Sequence, residues 1–316
     1  FMVENNYEEN FITEKLWEPI LCESLCFYFG CPNVLDWVDS QAFVMLDMYD
    51  FEKSYEIIKK AIEEDWWSLR LPFIKKQKQL ILSKMAFLPR LENHIYNNLL
   101  KNYLQNDYQP SAWKGHIDFA NYLVSTFQPS IIVDLGVDYG HSTFAFAGAG
   151  MGKVYGIDLF EGDEHTGFRN TFDIVISEKK KLICNNLIPK DNIEFIKGDF
   201  NDVVLHFDKV IDILHIDGLN NYEAVKNDFE KWLPKCHFNS IILLHDVTAF
   251  PDSVGKFFSE IALPKAHFTH SAGLGIVCRN IKIIDKIYSE FKRFKICKIE
   301  KCSSTKKNIC FIHSCV

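Results

Sequence analysis

Apolar residues recur along this chain in two rhythms, and the change of rhythm divides it. From residue 1 to about 105 the spacing is mostly helical: Phe51, Tyr55, Ile58 and Ile62 fall three or four apart in FEKSYEIIKKAIEEDWW, which predicts a packed amphipathic helix. The segment QNDYQPSAW (105–113) collects turn formers and reads as a boundary. Beyond it, short β-branched runs alternate with helical stretches, the signature of parallel βαβ units. Strands are predicted at IIVDL (131–135), KVYGID (153–158), IEFIKG (193–198), IDILHID (211–217), SIILLHD (240–246) and LGIVCR (274–279). Several are apolar along their whole length, as strands covered on both faces must be, and the last is expected to be the antiparallel edge. The helices between them carry matching apolar faces, such as Val225, Phe229, Trp232 and Leu233 in YEAVKNDFEKWL. After residue 280, Ile284, Ile287, Phe291 and Phe294 line one side of IKIIDKIYSEFKRFK, whose polar face is rich in lysine and arginine. That segment reads as a docked helix, or as a basic surface facing an acidic partner.

The expected organisation is a smaller, mainly helical region (1–105), a doubly wound α/β domain with a mostly parallel sheet (106–280), and a basic amphipathic helix with a cysteine-containing tail (281–316). At 316 residues the chain suits two domains, and 47% hydrophobic with 24% charged residues is the balance of a globular protein. No internal repeat or low-complexity tract interrupts it.

A net charge of -7 opposes capture of polyphosphate backbones, so nucleic acid is not an expected partner. No apolar run approaches the ~20 residues that cross a bilayer, and FMVEN at the start is acidic where a secretory signal would be basic. A cytoplasmic protein is expected. Six of the ten cysteines (Cys22, Cys26, Cys31, Cys184, Cys236, Cys278) lie in apolar runs and read as reduced core thiols. Cys297, Cys302, Cys310 and Cys315 sit near His313 in the basic tail, without the paired CxxC spacing of a zinc site.

The chemistry concentrates at strand ends. The first strand runs into Asp134-Leu135-Gly136-Val137-Asp138-Tyr139-Gly140, and a helix starts directly after it at His141-Ser142-Thr143. Glycines allow a tight turn and a close approach to a ligand, while the helix start offers free N–H groups to a carboxylate or phosphate. The DxGxxxG spacing is not the GxGxxG of a dinucleotide site. Asp158 closes the second strand, placed to accept hydrogen bonds from ribose hydroxyls. Gly198-Asp199-Phe200 follows the third, offering an acceptor for an adenine amine and a ring for its face. All three fall on the edge of the sheet where open α/β folds bind ligands.

Together with LHIDGLNNYEAV (214–225), the Leu244-His245-Asp246 strand end, Trp113-Lys114-Gly115-His116, YGIDLFEGDEHTG (155–167) and HSAGLG (270–275), these residues make the segment resemble class I methyltransferases, in the branch whose fourth strand reads LHIDG. The resemblance covers about 170 residues. It implies a seven-stranded Rossmann-like sheet, S-adenosylmethionine as cofactor, and methyl transfer to an oxygen. Implied cofactor contacts are Asp134, Gly136, Tyr139, Gly140, Ser142, Asp158, Leu159, Gly198, Asp199, Phe200, Asp217 and His116.

A sulfonium methyl is already a strong electrophile, but a sugar-type hydroxyl is a feeble nucleophile until its proton is removed or polarised. A base or a divalent cation must help. Asp217 and Asp246 end adjacent predicted strands and could hold Mg²⁺ or Mn²⁺ through hard oxygen ligands, as related sugar methyltransferases do, or only orient the cofactor and substrate. Many relatives carry a second acid where His245 stands, and a histidine where Asn220 stands. Asparagine cannot take a proton at neutral pH, so His245 becomes the first candidate base, ahead of His215, His165 and His116.

The opening, Glu4-Asn5-Asn6 followed by Phe11-Ile12-Thr13-Glu14-Lys15-Leu16-Trp17 and CFYFGCPNVLDWVD, resembles the donor-binding stretch of fucosyltransferase-like glycosyltransferases. In that family the acid and lysine contact the nucleotide sugar. A glycosyltransferase of two such domains needs roughly 250 residues or more, so sugar transfer is not expected of this piece alone, and an upstream glycosyltransferase domain is an expected partner. The pairing resembles the glycan-building fusions of large algal DNA viruses. It makes a hydroxyl of a terminal fucose- or rhamnose-like deoxyhexose on a glycan the leading methyl acceptor. A small phenol or catechol is the alternative acceptor, and a non-catalytic scaffold the alternative role.

Overall fold

The computed structural model describes residues 1–85, 87–148, 152–162, 167–292 and 299–302. The chain separates into two units, Phe1–His94 and Ile95–Val316.

The first unit is less helical than its sequence suggests. Strands β1 (Met2–Val3), β2 (Cys26–Phe29) and β3 (Phe43–Met45) form a parallel sheet in that order, accompanied by α1 (Glu14–Leu21), α2 (Phe51–Glu63) and α3 (Trp66–Leu80). Strands of two to four residues carry too few alternations to stand out in a sequence pattern. Their core joins Leu16, Ile20, Tyr28, Val34, Phe43 and Ile74. Helix α2 forms where predicted, but its stripe points outward: Phe51, Tyr55 and Ile62 are 70%, 65% and 72% exposed, while Ser54 and Ala61 are buried. The helix turns its small face inward, where the Ser54 hydroxyl donates to the Asp47 carbonyl at 2.7 Å. Glu4, expected to face a nucleotide sugar, is buried and accepts from Thr13 N (2.9 Å), Thr13 Oγ1 (2.7 Å) and Tyr28 Oη (3.1 Å). Lys15 Nζ lies 3.8 Å from it.

The second unit opens within α4 (Phe87–Asn102) rather than at residue 105. Leu100 and Leu104 are buried in its core, and Leu100 lies against Gly148, so the segment before the predicted boundary packs with the α/β layers after it. The strands are β4 (Ile131–Leu135), β5 (Lys153–Asp158), β6 (Ile193–Lys197), β7 (Ile211–Ile216), β8 (Cys236–His245), β9 (Lys265–Phe268), β10 (Leu274–Val277) and β11 (Ile299–Cys302). They order as β6-β5-β4-β7-β8-β10-β9-β11. β4 to β8 are parallel, and β10 is antiparallel to both neighbours. The last predicted strand is thus antiparallel but interior. β9, too short to show a period, lies outside it, and β11 adds an eighth strand to the seven expected.

Alternation along the strands feeds two cores. Ile132, Ile213, Ile241 and Leu243 face α5 (Ile117–Phe127), α6 (His141–Gly148), α7 (Phe172–Cys184) and α11 (Ile281–Lys292), with Phe119, Phe144, Leu182 and Ile284 among the partners. Val133, Leu214, Ile242 and Leu244 face α8 (Phe200–His206), α9 (Tyr222–Trp232) and α10 (Val254–Glu260), with Val204, Phe229, Trp232 and Phe257. This doubly wound Rossmann-like sandwich is the expected fold. Strand order reverses between β4 and β7, which opens a crevice at their carboxyl ends.

On α11, Ile284, Ile287 and Phe291 are buried as predicted; Phe294, Cys297, Cys310, His313 and Cys315 lie outside the described residues. Cys26, Cys31, Cys236 and Cys278 are buried free thiols, whereas Cys22 and Cys184 are exposed because each falls at or just beyond the last turn of a helix. No helix among the described residues is long and apolar enough to cross a membrane.

Candidate active site

A cleft of about 840 Å³ lies over the carboxyl ends of the parallel strands, within the roughly 300–1,000 Å³ usual for small-molecule sites. Gly136, Tyr139, Ser142, Asp158, Leu159, Gly198, Asp199, Phe200, Asp217, His245 and Asp246 line or border it. Gly136 has φ +91°, and a Cβ there would sit 1.9 Å from the Asp217 carbonyl oxygen. Only glycine lets the β4 loop lie against the end of β7.

Asp158 braces this loop. Its Oδ2 accepts from Val137 N (2.8 Å) and Asp138 N (2.9 Å), and its Oδ1 from Phe160 N (2.7 Å), while the carboxylate still borders the cleft. The acid thus shapes the glycine turn as well as facing any ribose. Arg169 pins the turn from outside, pairing with Asp138 at 2.7 Å and lying 4.8 Å over the Tyr139 ring. Burial raises the pKa of Asp138, against the lowering effect of Arg169. Asp199 caps α8, its Oδ1 accepting from Asn201 N (2.8 Å) and Asn201 Nδ2 (2.9 Å).

Four expected site residues, Asp134, Gly140, His116 and His215, lie outside the cleft lining; Gly140 closes the turn instead, its N–H donating to the Val137 carbonyl at 2.7 Å with φ +87°. Asp134 is fully buried and accepts from Ser142 Oγ (2.7 Å), Thr143 Oγ1 and His215 Nδ1 (2.6 Å), which commits it to holding α6 against β4 and β7. Trp113 Nε1 donates to His215 Nε2 at 3.1 Å, so the ring hydrogen sits on Nδ1 and neither nitrogen is left to take a proton from a substrate. His215 is a positioning residue, not a base. His116 Nε2 donates to the Ser271 carbonyl (3.1 Å), and burial, followed by the charge of His245, pushes its pKa down to about 3. It packs behind His245, ring centroids 5.6 Å apart, and does not border the cleft. His165 lies outside the described residues.

The structure brings Asp217, His245 and Asp246 together, with one ligand-type atom from each within 4.8 Å of the others. His245 Nδ1 lies 3.3 Å from Asp217 Oδ1 and 3.2 Å from Asp246 Oδ1, at ion-pair distance but without the direction of a good hydrogen bond. Burial alone would lower its pKa; the two carboxylates outweigh burial and raise it to about 10. His245 therefore carries its proton at neutral pH, which removes it as the ground-state base. Burial works to raise the pKa of Asp217, but His245 brings it below the usual carboxylate range. Asp246 holds a left-handed backbone, φ +66°, and Asn220 Nδ2 donates to its Oδ2 at 2.8 Å. Such strain in a non-glycine residue at a strand end is typical of functional sites. Sequence reasoning missed Asn201, Asn227, Asp228 and Lys231, which also border the cleft. The one available signal was Asp228, an acid inside the apolar stripe of α9.

Residues 133–247 match the family model of the methyltransferase domain. Across 178 residues, 53% of the chain and 19% of the relative, it is 32% identical to the uncharacterized protein y4gI of Sinorhizobium fredii. Over 74 residues, 23% of the chain and 15% of the relative, it is 36% identical to GDP-fucose protein O-fucosyltransferase 3 of Xenopus laevis. The chain thus spans under a fifth of the length of either curated relative. Among solved structures, an O-methyltransferase from Bacillus cereus in complex with SAH aligns at 17% identity and a TM-score of 0.41, covering 59% of this chain and 90% of that one.

Proposed function

We propose that the second unit is an S-adenosylmethionine-dependent O-methyltransferase acting on a sugar hydroxyl, with a terminal deoxyhexose of a glycan as acceptor. The observation that carries this reading is the contact between Gly136 and Asp217: the glycine turn that would seat the sulfonium donor abuts the residue that begins the acid–imidazole cluster. Donor and acceptor machinery share one cleft.

In the reaction the acceptor oxygen attacks the methyl carbon in line with the sulfur; the O–C bond forms, the S–C bond breaks, and the sulfur keeps the electron pair. The chain has to align these atoms and exclude water. The hydroxyl proton passes to a carboxylate of the Asp217–Asp246 pair, where protonated His245 offsets one of the two negative charges. The donor set also fits a divalent cation, since two carboxylates and a nine-tenths buried imidazole converge and both ring nitrogens lack a hydrogen-bond partner among the described residues. Asp217, Asp246 and deprotonated His245 would hold Mg²⁺ or Mn²⁺, which when bound supplies a Lewis acid for the hydroxyl. The likeness of the first unit to a fucosyltransferase supports a deoxyhexose acceptor, because sugar addition and sugar methylation would then act on one glycan.

Incubation with methyl-labelled S-adenosylmethionine and short deoxyhexose glycans tests this. Label is expected in the sugar. Label confined to small phenols, or no transfer to any acceptor, would sink the proposal.

A further inference from the structure

We propose that the turn His270–Gly273, linked through His116, is the positioning element of the acid–imidazole cluster; the inference rests on the methyltransferase reading above and assigns residues that act on that site without touching donor or acceptor.

The turn joins β9 to β10 in a shape that the chain adopts only under constraint. Ser271, Ala272 and Gly273 have φ of +52°, +67° and +87°, three left-handed residues in succession of which only the last is glycine. Such a run of non-glycine residues persists where the surroundings over-determine it. Here the surroundings are two members of the cluster.

The first arm reaches Asp246. The Ala272 carbonyl accepts from both Thr248 N (3.0 Å) and Ala249 N (2.9 Å), the second and third residues after that acid. Asp246 has left the strand and is itself left-handed, so these two bonds fix the path of the chain just beyond it. Gly273 permits the approach, since a Cβ there would lie 2.6 Å from Thr248 N and 2.2 Å from its Oγ1. The second arm reaches His245. The Ser271 carbonyl accepts from His116 Nε2 at 3.1 Å, and the His116 ring packs against both His270 and His245, with centroids 4.9 Å and 5.6 Å away. His245 thus has a fixed wall behind a ring whose Nδ1 faces Asp217 and Asp246. Gly115 seats that wall on the turn: a Cβ there would lie 1.9 Å from Ser271 Oγ. Neither His116 nor any residue of the turn borders the cleft, so their effect on the reaction passes through Asp246 and His245. Misplacing such groups by 1 Å can cost about 100-fold in rate.

Methyl transfer to a short deoxyhexose glycan, measured beside S-adenosylhomocysteine affinity in full-chain variants, tests the assignment. H116L fills the space but leaves the Ser271 carbonyl without its donor; kcat should fall at least about tenfold while donor affinity stays within about threefold. H116Q, whose amide can still donate to that carbonyl, should keep kcat within about threefold of the unmodified protein. G273A should show the same split as H116L, and if it fails to fold the His116 pair still decides. An H116L protein as active as the unmodified one reduces His116 to packing and overturns the proposal. So does an H116Q protein as impaired as H116L, which would mean that the imidazole itself takes part in the chemistry. Donor affinity that falls in step with kcat overturns it too, since general loosening would then explain the loss. An unmodified protein that transfers no methyl overturns the underlying reading, and this assignment with it, before any variant is made.

Discussion

His245 Nδ1 lies 3.3 Å from Asp217 Oδ1 at the end of two adjacent parallel strands, and this contact sets the protonation of the whole cluster. An imidazole that is buried among apolar groups loses its proton; beside two carboxylates it keeps it.

Stability of the cation-free protein should therefore fall on the alkaline side. The pKa of His245, about 10 in the folded chain, stands above the 6.5 of a free imidazole, so its contribution is complete below pH 6.5 and is lost as pH rises through 10. Melting temperature measured from pH 7 to pH 10.5 with a chelator present should decline, and H245Q should flatten that decline. A wild-type curve as flat as that of the variant would refute the protonated imidazole.

Asp217 should matter to turnover more than to donor binding. Asp217→Asn retains the shape of the β7 end, whose backbone meets Gly136, but loses the charge that receives or polarises the acceptor proton. Methyl transfer is expected to drop by about 10²- to 10⁴-fold, the usual worth of positioned acid–base chemistry, with donor affinity changed less than tenfold. Single-turnover kinetics and calorimetry on the same preparation check the split.

Asp134 should matter to stability. Asp134→Asn leaves at least one of Ser142, Thr143 and His215 without its buried acceptor, a loss of about 1–3 kcal/mol. Urea unfolding gives the number, and a change under about 0.5 kcal/mol would contradict a fully buried network.

Gly136→Ala combines a disfavoured backbone with a direct clash, 1.9 Å to the Asp217 carbonyl. The strain alone is of order 1–3 kcal/mol, and relieving it must shift the β4 loop. Donor binding should be lost before folding is, visible as a missing thermal shift with S-adenosylhomocysteine in a protein that still melts cooperatively.

Much of the fold was readable from local pattern. The strands 131–135, 153–158, 193–197 and 211–216 are short runs rich in branched apolar residues, each closed or followed by glycine or an acid, and they form nearly as bounded. β9 escaped because four residues, one of them Lys265, show no period; its ammonium is buried only because it caps α10 through the carbonyls of Phe258, Ser259 and Ile261. The outward stripe of α2 escaped for the opposite reason: a correct helical period does not say which face a neighbour covers.

By itself the sequence determined the alternation of strands and helices, the glycine turn after β4 and the row of acids at the strand ends, because backbone sterics and side-chain period are local properties. It ranked His245 in LLHD ahead of His215 in LHID as a base, but could not show what surrounds either ring. Tertiary structure decided between them: one ring is locked between Asp134 and Trp113, the other faces Asp217 and Asp246. Protonation and access depend on which charges and donors are within a few ångströms, and those come from residues distant in the chain.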